Sequence, residues 1–188
     1  MSFFNTLYNF TTDPADGINK IMGGRNLIAA LLGYFAGALS IMMVIGLESD
    51  GFGPAGFTFA LLALLVFNLC VGFFFSSSAH LFLELTTGKS RAAGLFVLLG
   101  LSEFTKTLLV AFTMIFLAAP ALESLRPWLV MLVLGLQVFV VLAMMQKAYG
   151  LSKTGTFFAL AASFLPSLIS MLTIGFLFIW FIIWLIFK

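Results

Sequence analysis

The sequence predicts an all-α polytopic membrane protein, a bundle of five transmembrane helices preceded by an N-terminal interfacial segment. Three observations carry that expectation. Hydrophobic residues make up 62% of the 188, and the mean hydropathy is +1.18. Charged side chains are only 9%, nine basic and seven acidic, against about a quarter in a water-soluble domain, too few to clothe a solvated surface. The apolar residues come in continuous runs of about twenty or more, the length at which a helix crosses a hydrocarbon core, not in the alternating ten-residue pieces of a membrane barrel. An open chain in lipid satisfies its backbone only as helix.

Residues 1–25 are too polar to span, and they lack the charged start and apolar stretch of a signal peptide. Phe3, Phe4, Leu7, Tyr8 and Phe10 gather apolar area ahead of Asp13 and Pro14, a cap followed by a helix-opening proline. This segment is expected to lie on the membrane surface. The transmembrane domain is 26–188, with spans at about 26–47, 54–86, 92–119, 127–146 and 156–187. Gly, Pro and the scarce charges bound each run. The connections are short, so consecutive helices are expected to be antiparallel neighbours.

Basic residues in the loops set the orientation. Lys20 and Arg25, Lys89 and Arg91, and Lys147 and Lys153 fall on one face; Arg126 and Lys188 fall on the other, with Glu48, Asp50 and Glu123. The expectation is a cytoplasmic N-terminus and an outside C-terminus. Trp128, Trp180 and Trp184 near the outer interface and Tyr149 near the inner one fit aromatic belts.

Ionisable groups inside apolar runs are the candidate functional residues, because each costs about 2.5–3.5 kcal/mol at mid-bilayer without a partner or a wet cavity. On the second helix Ser76, Ser77, Ser78, His80 and Glu84 cluster, with His80 and Glu84 four apart on one face. On the third, Ser102, Glu103, Thr105, Lys106 and Thr107 interrupt an apolar run. Counted from the intervening loop, His80 lies about 12 Å deep and Glu103 about 16 Å. His80, Glu84, Ser102, Glu103 and Lys106 are therefore expected to share a polar pocket between helices two and three. Glu103 and Lys106, three apart, can instead pair with each other so that the helix inserts.

Gly33 and Gly37 form a G-x-x-x-G, read as helix packing within the bundle. Pro166, with Ser163, Ser167 and Ser170 nearby, predicts a kink at which hydroxyls recapture freed carbonyls. One His and one Cys offer no metal-binding spacing, so neither a metal nor a cofactor is expected. No H-E-x-x-H, G-x-S-x-G or P-loop is present, and the expectation is a non-enzyme. A net charge of +2 without a basic cluster gives nucleic acid no footprint. The expected partners are membrane lipids, with a protein partner or a second copy of the chain.

The stretch FFNTLYNFTTDPADGINKIM at 3–22 resembles the opening of prokaryotic Yip1-family membrane proteins. HLFLELTTGKSRAAGLFVLLGLSEFTKTLL at 80–109 is similar to that family's most recognisable region, a His on the second helix, a basic Gly-containing turn and a Gly-aromatic-Ser step on the third. KAYGLSKTGTFFAL at 147–160 looks like its turn before the fifth helix. Where eukaryotic members carry Gly-Tyr and a following Pro, this chain has Gly100-Leu101-Ser102-Glu103-Phe104-Thr105, with neither. Their vesicle-traffic role is accordingly not carried over. The resemblance implies a five-helix multi-pass protein of the bacterial inner membrane, acting as a non-enzymatic scaffold or partner-binding component. The alternative is a small transporter or lipid-handling protein using the polar pocket.

Overall fold

A computed structural model describes residues 27–48, 53–88 and 90–186. The proposed interfacial segment, the basic residue Lys89 and the extreme C-terminus lie outside the described residues. The helices are α1 (Leu27–Glu48), α2 (Pro54–Thr87), α3 (Ala92–Ser102), α4 (Thr107–Ala118), α5 (Arg126–Tyr149) and α6 (Lys153–Ile186). Tight 3₁₀ segments, Glu103–Lys106 and Pro120–Leu125, precede α4 and α5. Among the described residues there is no strand, and five helical stretches are long and apolar enough to cross a membrane. The chain is an all-α polytopic bundle, with α3, the Glu103–Lys106 segment and α4 forming its third span.

Local chemistry sets the ends. Pro54 opens α2, and Gly88 closes it at φ 65°, a left-handed conformation in which its N–H reaches the Glu84 carbonyl at 2.9 Å. Gly150 closes α5 in the same conformation. The fifth span starts at 153, not 156 as its hydropathy suggested, because the Ser152 hydroxyl accepts the Gly155 N–H at 3.1 Å and caps the first turn. α6 runs unbroken through Pro166. Pro166 leaves the Ala162 carbonyl without its usual donor, but Ser163 donates to Ala159 and Ser167 to Ser163, so these two hydroxyls do not recapture it as expected.

The third span is central. It packs on α1, α2 and α5, whereas α6 packs on α2 and α5 from the far side. Two groups of buried side chains fill the end of the bundle that carries the turns after α2 and α5. One joins Ala30, Tyr34, Val97, Leu98 and Met144; the other joins Ala79, Leu83, Leu95, Val141, Met145 and Ala159. Trp128 and Trp180 are exposed on the outer surface of the bundle, free to meet lipid.

Close approach of α1 to the third span depends on three glycines. A Cβ on Gly33 would overlap the Gly100 carbonyl, and one on Gly100 would sit 2.7 Å from the Ala30 carbonyl oxygen. Gly37 lies against Glu103, whose Oε2 would be 2.5 Å from an added Cβ. The G-x-x-x-G thus packs within the chain, and its second glycine makes room for a charged side chain.

Candidate functional site: a polar cavity inside the bundle

The third span was expected to be one continuous α-helix. It tightens instead to 3₁₀ geometry at Glu103–Lys106, where ψ falls to about −20° at each flank. Hydroxyls favour the tightening: Ser102, Thr105 and Thr107 each donate to the carbonyl three residues back, at 2.7, 2.8 and 2.7 Å. Side chains three apart eclipse in a 3₁₀ turn. Glu103 and Lys106 are thereby superposed, and the Lys106 Nζ donates to Glu103 Oε2 at 2.6 Å.

The second carboxylate oxygen is also occupied. Gln137 Nε2, from α5, donates to Glu103 Oε1 at 2.7 Å. With Glu103 only 8% exposed, both oxygens have replaced water with protein donors, as a buried charge requires. The group lies eleven residues past Ala92 in a span of 27, about 16 Å along it.

This cluster forms one wall of a cavity of about 360 Å³ enclosed by the third span, α2, α5 and α6. Ser102, Glu103, Lys106 and Gln137 provide its polar side, and Asn68 of α2 faces it. Phe75, Leu99, Val141 and Leu160 belong to the apolar lining next to the packed end. Phe67, Val138 and Phe164 also line it, yet are 54%, 47% and 57% exposed, so the cavity opens sideways between helices toward hydrocarbon. The Asn68 amide nitrogen is buried and has no hydrogen-bond partner.

Tyr34 crosses from α1 to the same wall. Its hydroxyl donates to the Phe96 carbonyl at 3.3 Å and occupies the notch left by Gly72, where a Cβ would strike the phenol. Gly72→Ala is expected to destabilise the bundle by about 1–3 kcal/mol by overpacking. The hydroxyl is the nearest obstacle, so Gly72→Ala with Tyr34→Phe is expected to be more stable than the two single losses added together. Denaturant unfolding in detergent of the four chains checks this, and simple additivity would contradict it.

Of the sequence candidates, Ser102, Glu103 and Lys106 come together as expected. His80 and Glu84 do not line the cavity. The inward stripe of α2 is Asn68, Gly72, Ser76, Ala79 and Leu83; at 100° per residue His80 lies about 80° round from its centre and Glu84 about 120°. His80 is half-buried with an unpartnered Nδ1, and Glu84 is exposed. The expected pocket therefore moves, because depth counted from the loop does not determine which way a side chain faces. Gln137, Asn68 and Tyr34 were missed. A signal existed for the two amides, each isolated in a long apolar run, but a lone amide does not reveal that its partner lies 34 residues away.

Among the described residues no three His, Cys, Asp or Glu side chains come close enough to hold a metal ion. The fold and the site together define an integral, multi-pass α-helical membrane protein with a charge-neutral polar cavity inside its bundle. Comparison with family models, curated proteins and solved structures finds no match to this chain.

Proposed function

We propose that this protein binds a small amphipathic molecule in the cavity, as a small transporter or lipid-handling protein of the bacterial inner membrane. The observation that carries this reading is the Glu103–Lys106–Gln137 cluster lining a cavity of about 360 Å³. A purely structural ion pair has no need of a cavity, which forfeits packing contacts. The walls are mostly apolar with a few convergent polar groups, the usual composition of a ligand site. The proposed reading is non-enzymatic.

Native mass spectrometry of the protein extracted gently into lipid particles tests it. Wild type is expected to retain a lipid or small molecule at one per chain, and Val71→Trp, which projects an indole from α2 into the cavity, is expected to lose it. A bare wild-type protein, or retention unchanged in the variant, would count against the proposal. The second reading, a Yip1-type scaffold, draws its support from the resemblance at 80–109 and 147–160, and a stoichiometric co-purifying protein would favour it.

The proposed orientation places the N-terminus in the cytoplasm and the C-terminus in the periplasm. Its support is the excess of basic residues, Arg91, Lys147 and Lys153 among them, at one end of the bundle. A C-terminal alkaline phosphatase fusion is expected to be active and a C-terminal fluorescent fusion dark; the reverse pattern would invert the topology.

A further inference from the structure

Resting on the reading that this cavity is a ligand site, we infer that its ligand is an uncharged amphiphile with a hydrogen-bond-accepting head, an ester, carbonyl or polyol, which enters sideways from the bilayer. Three features of the cavity lead there.

The first is its charge. Lys106 and Glu103 cancel within 2.6 Å, and both carboxylate oxygens already accept hydrogen bonds. An anionic head brought beside Lys106 would also face Glu103, and a cationic head beside Glu103 would face Lys106. In a low-dielectric site either juxtaposition is costly. A neutral head meets neither penalty.

The second is the balance of donors. Of the Lys106 ammonium hydrogens, one is used by Glu103, and no other acceptor among the described residues engages Nζ. The Asn68 amide is 92% buried, being 8% exposed, and its nitrogen is without a partner. Buried donors left unmade are costly, so what completes the site is an acceptor. Ser102 and Tyr34 already donate their hydrogens to the Leu99 and Phe96 carbonyls.

The third is access. Phe67, Val138 and Phe164 bound the cavity while facing outward at membrane depth, and the opposite end is closed by the packed group around Leu83, Leu95 and Val141. A head inserted through this side leaves its tail in the hydrocarbon, so a cavity of this size suffices for a lipid.

The test offers the purified full chain three probes with matched mono-unsaturated tails and heads whose charge does not change with pH: monoolein, oleyl sulfate and oleyltrimethylammonium. Retention is read by native mass spectrometry. Wild type is expected to retain monoolein about tenfold over either charged probe. Asn68→Leu, close to isosteric, is expected to weaken monoolein about three- to tenfold. Glu103→Gln leaves Lys106 unneutralised and is expected to turn preference toward the sulfate; Lys106→Met leaves Glu103 and is expected to turn it toward the ammonium. If Lys106→Met fails to fold, Glu103→Gln and Asn68→Leu carry the test. Wild type preferring a charged probe, or retaining all three equally with no redistribution in Glu103→Gln, overturns the neutral-head inference while Val71→Trp still abolishes binding and the cavity reading stands. Retention that ignores Val71→Trp, or no retention of any probe, overturns the cavity reading itself.

Discussion

Lys106→Met is expected to destabilise the folded bundle by about 3–5 kcal/mol, whereas Glu103→Gln and Lys106→Met together are expected to cost less than about 1.5 kcal/mol. The asymmetry follows from where the charges sit. Both side chains are nearly buried, at 12% and 10% exposure, and Glu103 is fixed by Gln137 as well as by Lys106. Removing the ammonium alone leaves a carboxylate at mid-membrane with one amide donor, the situation that makes breaking a buried pair expensive. Replacing both charges removes the desolvation cost along with the attraction, and the side-chain amide introduced by Glu103→Gln can still exchange a hydrogen bond with Gln137. Unfolding of the wild type, both single variants and the double variant in mixed micelles closes the thermodynamic cycle. Equal losses in Lys106→Met and the double variant would show that the carboxylate left alone is not what makes removal of the ammonium costly.

Gly33→Ala is expected to be the most damaging single-methyl addition on α1, at about 1–3 kcal/mol. The added Cβ would strike the Gly100 carbonyl, which belongs to backbone and cannot rotate aside. Accommodating it means separating α1 from the third span, which would also loosen the Glu103 side chain from its seat beside Gly37. Gly46 and Gly135 supply the control: an added Cβ there meets nothing within 4 Å, and Ala is the better helix former by up to about 1 kcal/mol. Gly46→Ala and Gly135→Ala are therefore expected to be neutral or slightly stabilising in the same unfolding assay. Damage of equal size at all three positions would mean that helix flexibility, not the α1–third span contact, is what the glycines provide.

The mid-span charges stood out in the sequence because a bilayer makes every ionisable side chain costly. Their pairing was legible too, since residues three apart meet on any helix. The tightening of the backbone was harder to read. It depends on three hydroxyls, at Ser102, Thr105 and Thr107, each taking the carbonyl three residues back, and hydroxyls that bond in this way leave no periodic hydrophobic signature.

The start of α6 shows the same limit at smaller scale. Hydropathy begins to rise at 156, but a cap made by Ser152 sets the helix in motion earlier.

By itself the sequence determined that the chain is helical, that it carries five runs long and apolar enough to cross a membrane, and that the polar residues within those runs gather on the second and third. Each of these follows from local quantities: the length of apolar runs, the scarcity of charge, and the need of a backbone in lipid to satisfy its own hydrogen bonds. Only the tertiary structure decided which polar residues meet. Gln137 and Asn68 join Glu103 and Lys106 across three spans, while His80 and Glu84, closer to them in sequence, turn aside. The physical reason is rotational. A uniformly apolar helix carries no hydrophobic face to set its angle about its own axis, so the glycine contacts at Gly33, Gly37, Gly72 and Gly100 and the hydrogen bonds to one buried carboxylate settle the rotation instead.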